Sequence, residues 1–312
     1  MPNLIVHTEQ IRDIAIKMGF GAVGFTDPSE IDEQFRKQYD NWIKTGRHGE
    51  MHYMKNNGAQ RFQPEMLFDG VKSAIVLLVP YNHGRRPQKS SYKMSRYAVG
   101  SDYHFVVKNK LSELLSAIQQ INPEVKGRAF TDTAPVPERY LAASAGLGFI
   151  GKNGMLINPE LGSFVFIGSL YTNATFKLDE PITGYDCGNC SLCMKACPTK
   201  AIVKPGELDS RRCISYKTIE FKGTFAPVEK LSGHIFGCDI CQTVCPYNKN
   251  VPQAGWQEFS GKPEVLEMTD EDWKQLGSSK FKKRFGDTVL FRTGLRRLRR
   301  NISQNENKHN NS

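Results

Sequence analysis

Eight cysteines lie within residues 187–245, and the rest of the chain has none. Four follow the run Cys187-x2-Cys190-x2-Cys193-x3-Cys197-Pro198. Three follow Cys238-x2-Cys241-x3-Cys245-Pro246, and Cys213 stands between the runs. Thiolates at x2, x2, x3 spacing with a closing proline are the bacterial pattern for iron–sulfur ligation. Two [4Fe–4S] clusters take four thiolates each, which accounts for every cysteine present. Such a segment folds around its clusters, with its loops set by ligand positions, and a chain built this way moves electrons singly.

In two-cluster ferredoxins the cysteine before proline ligates the other cluster. On that rule cluster one takes Cys187, Cys190, Cys193 and the distant Cys245. Cluster two takes Cys238, Cys241 and Cys197. Val244 stands where a symmetric second run would carry its third cysteine, so Cys213 completes cluster two. Paired CxxC motifs also bind zinc, but the four-cysteine run is not a zinc-ribbon spacing. Disulfides would need an oxidising compartment, and nothing in the sequence indicates export.

The 312 residues suffice for one large domain or two modest ones. A hydrophobic content of 39% and a mean hydropathy of −0.46 describe a soluble chain. The longest apolar run, Ala74–Tyr81, is far too short to span a bilayer. The N-terminus shows neither a basic segment before an apolar one nor a twin arginine, so a cytoplasmic protein is expected. The net charge of +10 is localised: residues 280–300 hold nine Lys and Arg against Asp287 alone. These include Lys282, Lys283, Arg284, Arg292, Arg296, Arg297, Arg299 and Arg300. A charge run is usually a solvated face, but this density favours a polyanionic partner, nucleic acid first.

Periodicity predicts helices over Thr8–Met18, Tyr103–Ile121 and Pro137–Ala145, with Gly146 as a stop signal. Strands are expected at Ala22–Phe25, Ala74–Val79, Arg128–Thr131, Met155–Ile157 and Ser163–Tyr171. The fold class is α+β: an α/β sandwich over residues 1–180, an inserted two-cluster ferredoxin-like domain over 181–250 and a basic helical segment over 251–302. Residues 303–312 read as a disordered tail.

Three stretches outside the cysteines stand out: Ser101-Asp-Tyr-His104, Thr131–Arg139 and Ala145–Asn153. Asp132 falls between a strand and a helix, where carboxylates often line a site; otherwise it caps the helix, although it lies some five residues upstream. Gly146, Gly148 and Gly151 follow a helix, which favours a C-cap and turn over a phosphate loop. Asp102-x-His104 begins like a cobalamin-binding motif, but Val107 stands where that motif has glycine, so His104 is not expected on cobalt.

Together Ser101–His104, Asp132-Thr-Ala-Pro135, Ala145–Asn153, Arg212-Cys-Ile-Ser-Tyr216, Gly237–Pro246 and the first cysteine run resemble the tRNA epoxyqueuosine reductases. The likeness runs from the first helix to about Arg300. It implies cobalamin, two [4Fe–4S] clusters and reduction of the wobble-base epoxide to an alkene in tRNAs for Tyr, His, Asn and Asp. It implies Asp132 as proton donor, with Arg61, Ser95, Tyr97, Lys152, Asn153, Ser215 and Tyr216 near the corrinoid. Longer members carry a C-terminal helical-repeat domain, and this sequence stops where that domain would begin. The electron donor is not named by the sequence, and a monomer is expected.

As a donor Asp132 has a difficulty. At its ordinary pKa of about 3.9, only about one carboxyl in a thousand is protonated at pH 7. The role therefore predicts a buried Asp132 with a raised pKa. Rival readings are a reductive dehalogenase, which would leave the basic segment idle, a plain electron-transfer protein without corrinoid, and an RNA-binding module with structural clusters.

Overall fold

The computed structural model describes residues 7–84 and 89–307. Its centre is a four-stranded antiparallel sheet of β1 (Ala22–Thr26), β2 (Ser73–Pro80), β3 (Gly127–Phe130) and β4 (Val165–Thr172), in the order β1-β2-β4-β3. Every residue of β2 is buried, because the alternating pleat sends side chains into two cores. Ile75, Leu77 and Val79 join one core with Ile11 and Ala15 of helix α1 (Thr8–Lys17). Val107, Leu111, Leu114 and Ile118 of α3 (Tyr103–Ile121) enter the same core. Ala74, Val76 and Leu78 face the other side, against Leu141, Ala142 and Ala145 at α4 (Glu138–Ser144). Helices therefore cover both faces of the sheet. At Gly24 a Cβ would sit 2.1 Å from the Ala145 carbonyl oxygen, so only glycine lets β1 approach the end of α4 this closely.

Between β1 and β2, Asp32 caps α2 (Glu33–Lys44) by accepting from the Gln34 and Phe35 amides. The cysteine segment is tied back to this region. Trp42 Nε1 donates to the Leu208 carbonyl at 2.8 Å, and the Tyr216 hydroxyl accepts from the Glu50 amide at 2.7 Å.

The C-terminal helices do not stand apart from residues 1–180. Trp273, Phe281, Phe285, Leu290, Leu298 and Ile302 form a third core with Tyr92, Ala98, Val99, Ile235 and Phe236. Each large side chain so buried contributes about 1.5–3 kcal/mol. Trp256 and Phe259 enter the first core. Residue 251 is thus a boundary in composition and not in packing.

The last helix, α7 (Leu295–Glu306), runs beyond the expected helix end at residue 302. Gln304 donates to the carbonyls of Ala226 and Glu229, and Asn305 to those of His234 and Asn301. These bonds correct the expectation of a disordered tail from 303; residues 308–312 of that tail lie outside the described residues. Among the described residues no helix is long and apolar enough to cross a membrane.

Candidate active site and cluster centre

Cys187, Cys190, Cys193 and Cys245 line one pocket, with Lys152 and Tyr247. The Cys213, Cys238 and Cys241 thiols influence one another electrostatically, and all three feel Cys197. The structure thus gathers Cys187, Cys190, Cys193 and Cys245 in one place, and Cys213, Cys238 and Cys241 near Cys197 in another. All eight are free of disulfides. Burial pushes the Cys238 thiol up to about 12 and Cys241 higher still. Thiolates there need the charge of iron beside them.

Asp132 follows β3 and takes a left-handed backbone, φ 54°, which few non-glycine residues adopt outside turns and sites. Three neighbours hold it. The Glu138 carboxylate at the start of α4 accepts its amide at 2.6 Å. The Tyr103 hydroxyl donates to Asp132 Oδ2 at 2.5 Å. His104 Nε2 lies 3.2 Å from the same oxygen, and His104 Nδ1 lies 2.6 Å from Asp102 Oδ1. Asp102 is also the N-cap of α3, so the helix start fixes the imidazole. Tyr103 stacks between His104, at 4.0 Å between ring centroids, and Phe166, at 4.3 Å.

The expected burial of Asp132 is not found: its side chain is 61% exposed. Crowding pushes its pKa up, but hydrogen bonds from His104 and Tyr103 and the charges of His104 and Arg292 hold it below the usual carboxylate range. His104 moves the opposite way: burial lowers it, and the bonds to Asp102 and Asp132 raise it further. Glu138 is pushed up to about 8, by burial first and by the Asp132 charge second. Composition and periodicity had no signal for His104 or Glu138; the Ser101–His104 stretch was the only pointer to the former.

The other expected cofactor contacts divide. Arg61 donates from a terminal nitrogen to the Val136 carbonyl at 3.0 Å, and its buried Nε has no protein partner. Asn153 Nδ2 is likewise buried without a partner. Lys152 is committed elsewhere, with its ammonium on the carbonyls of Gly188 and Cys190 and its amide on Cys187 Sγ. Ser95 is buried beside Gly237 and bonds Asp239, which also accepts the Arg96 amide. Tyr97 packs on Tyr81, Tyr103, Phe166 and Phe236. Ser215 and Tyr216 lie on the helix Ile214–Ile219 (α5) that follows Cys213, with Tyr216 buried.

The basic segment also divides. Lys282, Lys283 and Arg284 on α6 (Ser278–Phe285), with Arg292 and Arg296, are exposed. Arg297 and Arg300 were expected on phosphate, but they are structural clamps. Arg297 donates to the carbonyls of Thr293 and Ile219. Arg300 donates to those of Lys217, Phe221 and Gly223, and lies 4.2 Å from the Phe225 ring. Arg299, although exposed, donates to the Leu276 carbonyl.

The comparisons with known proteins agree with this layout. A family model described as 4Fe-4S double cluster binding domain matches residues 186–248. A second, described as epoxyqueuosine reductase QueG, DUF1730, matches residues 61–133. The epoxyqueuosine reductase of Cellulophaga algicola is 40% identical over 299 residues, covering 95% of this chain and 97% of that protein. The chain belongs to the epoxyqueuosine reductase family. The Escherichia coli member is 36% identical, over 95% of this chain and 79% of its own. Among solved structures, the Streptococcus thermophilus epoxyqueuosine reductase superposes with TM-score 0.86 at 30% identity, over 95% of this chain and 80% of that one. An epoxyqueuosine reductase holding an epoxyqueuosine-modified tRNA-Tyr stem loop gives 0.85 at 29%, with the same coverage.

Proposed function

We propose that this chain reduces the epoxide of epoxyqueuosine, at the wobble position of tRNA, to the alkene of queuosine. The observation that carries this reading is the pairing of two four-thiol sets with a cleft in which Asp132, His104 and Asp102 are in contact. Converting the epoxide to an alkene releases its oxygen as water and takes up two electrons and two protons. The clusters supply electrons one at a time. Cobalamin, when bound, supplies a strongly reducing cobalt centre that side chains do not provide. Arg61 and Asn153 fit as its holders, because each has a buried donor nitrogen that no protein group takes, and such a donor is costly until a ligand pairs with it.

The protein's own task at the reacting oxygen is to deliver protons. A neutral imidazole has one N–H, yet His104 has a carboxylate at each ring nitrogen. One of those contacts would set lone pair against lone pair unless the site holds an extra proton. That proton resides on His104 or on Asp132, and the pair together is the stored acid. Asp132 gives a proton to the departing oxygen, and His104 restores it through Nε2 while Asp102 steadies Nδ1. The proton that burial of Asp132 was expected to hold is held by the Asp132–His104 pair instead.

A wobble base is reachable because anticodon loops are single-stranded and their bases can be splayed into a pocket. Exposed Lys282, Lys283, Arg284, Arg292 and Arg296 are suited to stem phosphates. The substrates are the tRNAs for Tyr, His, Asn and Asp, met in the cytoplasm by a monomer. The test is protein prepared without oxygen and with cobalamin supplied. It should hold about eight iron and about one cobalt per chain and convert epoxyqueuosine in tRNA under a low-potential reductant. Iron without cobalt and without conversion would reduce the protein to an electron carrier.

A further inference from the structure

The thiol set of cluster one carries an exposed apolar rim that the proton chemistry leaves unused. Tyr185 and Leu192 are 49% and 48% exposed. Leu192 lines the pocket of Cys187, Cys190, Cys193 and Cys245 together with Tyr247. Tyr247 donates its hydroxyl to the carbonyl of Asp186, next to Tyr185, at 3.1 Å, and its ring packs on Phe149 at 5.3 Å. Large apolar side chains gathered at water mark a docking surface. The rim is basic. Lys195 is exposed on the same short helix as Leu192, Lys249 is exposed two residues beyond Tyr247, and Lys152 reaches the cluster loop, against Asp186.

The second thiol set stands on the Asp132 side. Asp239, between Cys238 and Cys241, accepts the Arg96 amide; the next residue, Tyr97, packs on Tyr103 at 6.0 Å; and the Tyr103 hydroxyl donates to Asp132. Electrons that enter at cluster one therefore have cluster two between them and the reacting oxygen.

We propose that the Tyr185–Leu192 rim, with Lys195 and Lys249, is the docking surface for a small acidic one-electron carrier protein. The inference rests on the proposed function, in which the clusters carry electrons. Each encounter oxidises the carrier by one electron and reduces cluster one by one; two encounters serve one epoxide, whose protons come from the cleft. Basic and apolar side chains around an electron-entry site steer a complementary acidic partner and raise its association rate.

The test uses cluster-loaded protein and two acidic carriers, a reduced flavodoxin and a reduced plant-type ferredoxin, with cluster bleaching followed by stopped flow. Wild type should be bleached by at least one of them, with a rate that falls as salt rises. Lys195→Glu and Lys249→Glu, each matched to wild type in iron content, should be bleached about tenfold more slowly and bind the oxidised carrier more weakly. Bleaching by dithionite should be unchanged. Wild-type rates in both variants, or failure of both carriers on wild type, would overturn the proposal. Failure of dithionite-reduced wild type to convert the tRNA would instead overturn the proposed function, whatever the rim does.

Discussion

His104 Nε2 faces Asp132 Oδ2 at 3.2 Å, and this contact joins the start of α3 to the loop after β3. In the proposed reaction it makes an exposed aspartate of lowered pKa one end of a proton store. Replacing Asp102 by Asn removes the negative charge beside Nδ1, so the His104 pKa should fall. NMR titration of the imidazole in cofactor-free protein reads this directly, and an unchanged titration would remove Asp102 from the relay.

The same pair shapes stability against pH. The folded pKa of His104 is raised above 6.5, so its contribution is full below that value and is lost as pH rises through the folded pKa. The folded pKa of Asp132 is lowered below 3.8, so its contribution is present above that value and is lost as pH falls through the folded pKa. His104→Gln should therefore lose stability relative to wild type near pH 5 to 6, with the difference shrinking at alkaline pH. Thermal melts across that range check the sign.

Glu138 predicts a trend of its own. With a folded pKa of about 8 against 4.5, the folded state holds a proton that the unfolded chain releases between those values. Stability should fall as pH rises through this window. Glu138→Gln should flatten that fall in melts from pH 4.5 to 8, and an unaltered slope would contradict the raised pKa.

Two arginines on one helix should separate cleanly. Arg300→Met leaves three carbonyls short of a donor and should cost on the order of 2 kcal/mol in denaturant unfolding. Arg296→Ala should leave stability unchanged, weaken tRNA binding and reduce the logarithmic salt slope by about one. The reverse pattern would contradict the division of α7 into a clamping and a binding face.

Ligand chemistry made the cluster sets legible in the sequence, because eight thiols with fixed spacings admit few pairings. The run Ala74–Val79 announced a central strand for a similar reason: continuous apolar residues demand two covered faces. The state of Asp132 was not legible, because Tyr103 and His104 lie some thirty residues away and meet it only in the fold. Nor were the roles of Arg297 and Arg300. Helical periodicity gives the polar face of α7, but not the carbonyls of residues 217–223 turned toward it.

The most direct measurement is the mass of the wobble nucleoside after single turnover of epoxyqueuosine-bearing tRNA with cluster-loaded, cobalamin-supplied protein. Wild type should yield a product lighter by one oxygen, and Asp132→Asn with matched iron and cobalt should be slower by roughly 10²–10⁴-fold. Unchanged nucleoside from fully loaded, reduced wild type, or full turnover by Asp132→Asn, would contradict the account.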